Sequence, residues 1–69
     1  MLYTIETCEC KEDFDNGCLI PSDGAQYTAK AAIAALESGN GGSMRGKKGG
    51  FVVNYDASKN DWLRTKLKI

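Results

Sequence analysis

Three cysteines, Cys8, Cys10 and Cys18, are the residues best suited to metal or redox chemistry in this 69-residue chain. Structural zinc wants four ligands, usually two Cys-x(2–4)-Cys pairs or a set completed by histidine. The chain holds one pair at the wrong spacing, a single further cysteine and no histidine. A metal site would need a ligand from an acid or another chain, so no metal and no cofactor are expected. Small buried cysteines, or a Cys18 bridge in an oxidising setting, are the other readings. The missing histidine also removes the commonest general base. Glu12, Asp13 and Asp15 lie close together, but in a polar segment with nothing to desolvate a carboxyl and raise its pKa. No Gly-x-Ser-x-Gly elbow is present, and a domain this small rarely encloses a substrate. No catalytic residue is assigned, and the chain is read as a binding protein.

Glycines and cations crowd residues 38–50, SGNGGSMRGKKGG. A phosphate-binding loop would run from strand to helix and carry G-x(4)-G-K-[ST]. This one lacks that order and is expected to follow a helix, so it reads as a flexible loop, either a connector or a basic arm that orders on a partner. Formal net charge is zero, yet residues 1–37 carry seven acids against two bases, and 38–69 the reverse. The halves either neutralise each other or present opposed surfaces that steer charged partners.

These residues must be positioned by a thin core, because a chain this short buries only roughly 60% of its unfolded surface. Dimerisation would add buried area. Alternation over 2–8 predicts a strand, with Tyr3 and Ile5 on one side and Leu2, Thr4 and Glu6 on the other. Residues 9–17 end in Asn-Gly and read as a loop with Phe14 beneath it. Cys18–Ile20 suit a short strand ended by Pro21. The alanine-rich run 25–38 predicts a helix, capped by Ser22 or Asp23 and closed by Gly39. Its apolar stripe is Ala25, Ala29, Ala32, Ile33 and Leu36. Residues 51–69 read as a β-hairpin, with Tyr55 opposite Leu63 and Phe51 opposite Leu67. The sum is an α+β domain of order β–(β)–α–β–β, one helix on an antiparallel sheet of three to four strands.

In that hairpin Trp62, Arg64, Lys66 and Lys68 form a stripe with members about 6.6 Å apart. With Arg45, Lys47 and Lys48 they make up the candidate partner-binding surface. A tryptophan among cations suits a nucleic-acid backbone, whereas outward lysines also protect a sheet edge. The rival surface is acidic: Glu9, Glu12, Asp13 and Asp15, able to imitate phosphates toward a basic groove. The start MLYTIETCEC lacks a secretory pattern, no apolar run spans a membrane, and the odd cysteine count fits a reducing cytoplasm.

In size, in β–α–β–β order and in its charged surface without catalytic residues, the chain resembles small phage-encoded anti-defence proteins, including anti-CRISPR inhibitors. The resemblance implies a protein or protein–nucleic-acid complex of the host as partner, met in the host cytoplasm, with its nucleic-acid path blocked. It carries over no functional residue, because there is no motif to align. The alternative is direct nucleic-acid binding through the basic half. A homodimer fits either reading.

Overall fold

Residues 1–69 are described by a computed structural model. The alternating start of the chain forms β1 (Thr4–Thr7), which pairs antiparallel with β2 (Gly42–Gly46). β2 in turn pairs antiparallel with β3 (Gly49–Val53), so the sheet order is β1-β2-β3. Three helices accompany it: α1 (Lys11–Asp15), α2 (Ala29–Ser38) and α3 (Asp61–Leu67). A 3-10 turn, Ala57–Asn60, leads into α3. The chain is thus α+β with an antiparallel sheet, but its element order is β–α–α–β–β–α.

One face of the sheet carries Tyr3, Ile5, Met44, Phe51 and Val53, as the register requires. α2 lies on that face and lowers Ala32, Ile33 and Leu36 onto it. Leu63 of α3 completes the buried cluster. Only 11 of 69 residues are buried. Each large aliphatic in this cluster therefore matters, at about 1.5–3 kcal/mol per side chain removed from water.

α2 begins later than the alanine run suggests. Tyr27 exchanges both backbone hydrogen bonds with Tyr3, at 2.8 Å each, which holds the chain extended until Thr28. The Thr28 hydroxyl then accepts the Ala31 N–H at 3.2 Å and caps the helix. Ser22 and Asp23 cap local turns instead, accepting from Gly24 and Ala25. At the other end Gly39 is the cap residue with φ −97°, and the left-handed residue is Gly41, whose N–H bonds the Leu36 carbonyl.

Three further expectations are corrected. Residues 9–17 hold the short helix α1, capped by the Cys10 sulfur, and Phe14 packs edge-on to Tyr55 at 6.0 Å. Residues 18–20 supply one bridge, Ile20 to Thr7, and no strand. The glycine-rich segment is a β-hairpin with Lys47 and Lys48 as its turn, not a loop. Its glycines serve close approach: a Cβ on Gly42 would stand 2.1 Å from the Glu6 carbonyl oxygen, and one on Gly46 would stand 2.6 Å from the Tyr3 ring.

The last correction is the largest. Residues 61–67 are helical, so Tyr55 does not face Leu63 across a hairpin. Leu63 and Leu67 are four residues apart, a spacing that suits a strand face and a helix face alike. Local chemistry decides for the helix. The Asp56 carboxylate accepts the Ser58 N–H at 3.1 Å and its hydroxyl at 2.8 Å, turning the chain. Asp61 then lies in the first turn of α3, with Arg64 and Lys66 in the last, as the helix dipole favours.

Candidate functional site at the hairpin end

The strands have two chemically different ends. The β2–β3 turn forms one, and α1 lies at the other, where Phe14 sits under Gly41. The charge asymmetry of the sequence maps onto this axis. Arg45, Lys47 and Lys48 project from the hairpin end, all exposed. Glu9, Glu12, Asp13 and Asp15 gather in and before α1. That acidic end also holds Lys11, whose ammonium lies 5.0 Å from the Tyr55 ring centroid.

Two depressions flank the hairpin. The first, about 450 Å3, is lined by Met1, Leu2, Tyr3, Gln26, Arg45 and Lys47, with others. The second, about 310 Å3, is lined by Met1, Tyr3, Lys48, Phe51, Lys66 and Leu67, with two glycines. Each carries two cations over an apolar floor, and neither lining includes Asp or Glu. Lys66 arrives from α3, its ammonium 5.4 Å from the Phe51 ring centroid. Phe51 stacks edge-on against Tyr3 at 6.4 Å. Met1 and Leu2 are more than half exposed beside them. Such a surface suits an anionic group flanked by apolar contacts.

Four of the seven expected basic-surface residues therefore meet here: Arg45, Lys47, Lys48 and Lys66. The other three do not. Helical geometry turns each residue about 100° from the last, which breaks up the expected strand stripe. Arg64 points away from Lys66 and is committed internally: one guanidinium nitrogen bonds Glu37, and the other bonds the Ala57 carbonyl at 2.9 Å. Lys68 closes α3 in the left-handed conformation at φ 59°. Trp62 is 54% exposed on α3 but lines neither depression.

Glu37 belongs to a structural clamp. Asn60 is fully buried, and its amide nitrogen donates to Glu37 at 2.7 Å and to the Asn54 and Asp56 carbonyls. Its amide oxygen accepts the Asn54 N–H at 2.9 Å. No buried side-chain polar atom is left unpartnered. The clamp ties α2, α3 and the end of β3 together, and it fixes where α3 delivers Lys66.

The cysteines lie with the acidic end and line neither depression at the hairpin. All three are free thiols. Cys8 is buried, and its thiol pKa is raised by that burial first, then by Asp13, Cys18 and Cys10 nearby. Cys10 is the α1 cap, its sulfur accepting the Asp13 N–H. No three groups from His, Cys, Asp and Glu are placed to share a metal ion. No helix is long and apolar enough to cross a membrane.

Sequence reasoning missed the apolar floor formed by Met1, Leu2, Tyr3 and Phe51. A signal was present in Gly42-x-Met44-x-Gly46, which alternates small and large residues with the period of a strand. Compared with protein-family models, curated proteins and solved structures, the chain matches none.

Proposed function

We propose that the chain is a non-enzymatic binding protein that docks its hairpin end on an acidic surface of a host macromolecular complex and modulates that complex. The observation that carries this reading is the pair of depressions beside the hairpin, each with two cations and no carboxylate. Unpaired cations at the rim of an apolar floor give steering and specificity, with the floor adding buried area on contact. The resemblance to phage anti-defence inhibitors implies a host complex as the partner and does not say which surface meets it. A protein partner is favoured over bare nucleic acid because Trp62, the most exposed aromatic, lies outside the cationic depressions.

Affinity capture with three tagged forms tests the proposal: the wild type, a Lys47→Glu/Lys48→Glu variant, and a Glu12→Gln/Asp15→Asn variant. The expected result is a complex retained by the wild type and the acidic-end variant, lost by the hairpin variant and weakened by salt. Loss with the acidic-end variant alone would transfer the function to α1. A salt-sensitive gel shift with bare DNA or RNA, abolished by the hairpin substitutions, would replace a protein partner with nucleic acid.

A further inference from the structure

Backbone alternation leaves one sheet edge open. Tyr3 and Thr7 of the first strand region turn their N–H and C=O groups outward, to Tyr27 and Ile20. Thr4 and Glu6 therefore face β2, and by the same alternation Arg45 and Ser43 face β1. That leaves Gly42, Met44 and Gly46 to bond Val53, Phe51 and Gly49. Gly50 and Val52 must then direct both backbone groups away from the sheet. The next outward residue, Asn54, is already satisfied in both groups by Asn60.

The two edges are thus treated differently. The β1 edge is covered by the segment from Ile20 to Tyr27. The β3 edge is blocked only at Asn54. Residues 49–53, GGFVV, include no charge and no proline, the usual devices that stop edges from pairing. Gly50 is exposed, and Val52 is 56% exposed.

We infer that this edge pairs antiparallel with the same edge of a second copy, giving a six-stranded sheet across a two-fold axis. Only one two-fold register joins the free groups of each copy to the free groups of the other. It sets Gly50 opposite Val52 of the second copy, with Phe51 opposite itself. A register centred on Val52 would place Gly50 against the already bonded Asn54, and one centred on Gly50 would place Val52 against turn residue Lys48. In the inferred register each Val52 side chain lies beside a glycine, whose added Cβ would meet nothing closer than 3.6 Å in its own subunit.

Charge selects a second copy of this chain as the occupant. The basic turn, Lys47 and Lys48, adjoins one end of β3, and Asp56 follows the other. Antiparallel pairing brings each basic end toward the acidic end of its mate. The two Lys66 ammonium groups, each over its own Phe51 ring, are like charges near the axis and limit the strength of the pair. The Arg45–Lys47 depression lies on the β1 side and remains open in the dimer. The Lys48–Lys66 depression, which includes Gly50 and Phe51, lies at the seam instead, so dimer formation and docking share that part of the surface.

Sedimentation equilibrium over a dilution series tests it, together with amide exchange. The wild type should approach twice the 7.5 kDa chain mass as concentration rises. The Gly50 and Val52 amides should exchange more slowly over the same range. Val52→Pro removes an outward N–H, and Val52→Lys charges the edge. Both should sediment at the chain mass with unchanged far-ultraviolet circular dichroism. A wild type that stays at the chain mass, or a dimer with concentration-independent exchange at Gly50 and Val52, would overturn the inference. A dimer that survives both substitutions would overturn it too.

Discussion

Asn60 shows how much one polar residue can organise in a chain with so small a core. Its amide satisfies Asn54 on both backbone groups and orients Glu37 toward Arg64. Removing it would leave both part-buried backbone groups of Asn54 without partners and Glu37 with Arg64 alone. Asn60→Ala should lower unfolding stability by about 2–3 kcal/mol, the cost of stranded buried polar groups. Urea denaturation checks this, and a loss below about 0.5 kcal/mol, typical of a surface change, would remove the clamp from the account. The same scale explains why Arg64 stands apart from the hairpin cations. A sequence shows a cation, but its availability depends on whether a carboxylate from another helix reaches it.

At the scale of elements, the glycine-rich segment is the instructive case. Its composition predicts mobility, yet Gly42 and Gly46, four apart on one face of β2, stand where the Glu6 carbonyl and the Tyr3 ring come closest. Gly49 has a different role. It has φ +129° beside the Lys47–Lys48 turn and open space around it. A side chain there meets no atom but strains the backbone. Gly49→Ala should therefore destabilise by about 1–3 kcal/mol, the usual range for such backbone strain, without changing the fold. Thermal melts with amide-resolved spectra check it, and an unchanged melting temperature would show that the turn relaxes freely. α2 was legible because alanine content and an apolar stripe agree over three turns. Its first turn was not, because Tyr27 is drawn into pairing with Tyr3.

For the whole molecule, neutrality conceals polarity. Four of the seven acids of the first half collect around α1, and four bases of the second collect at the hairpin end. A formally neutral protein of this kind should bind both cation- and anion-exchange media at low ionic strength. Reversing Lys47 and Lys48 should abolish retention on the cation exchanger and strengthen it on the anion exchanger. Salt of about 0.15 M shortens the screening length to roughly 8 Å and should release both forms. Elution of the wild type in the void of both columns would show that the poles neutralise each other. The open β3 edge belongs to this scale as well, since a second copy would add the buried area that 69 residues provide only thinly.

The sequence by itself determined the α+β class, the strand at the start, the alanine helix and the division of charge. Each of these follows from composition or from a period that repeats within the element. Tertiary structure alone decided the rest. Leu63 and Leu67 satisfy strand and helix periods equally, so the Asp56 turn and the Asn60 clamp had to choose the helix. The glycines of 38–50 became strand residues because the Glu6 carbonyl and the Tyr3 ring lie opposite them. Of the cations expected to act together, Lys66 was brought to the hairpin and Arg64 was taken by Glu37. Those outcomes depend on which groups meet across the fold, and spacing along one chain does not record that.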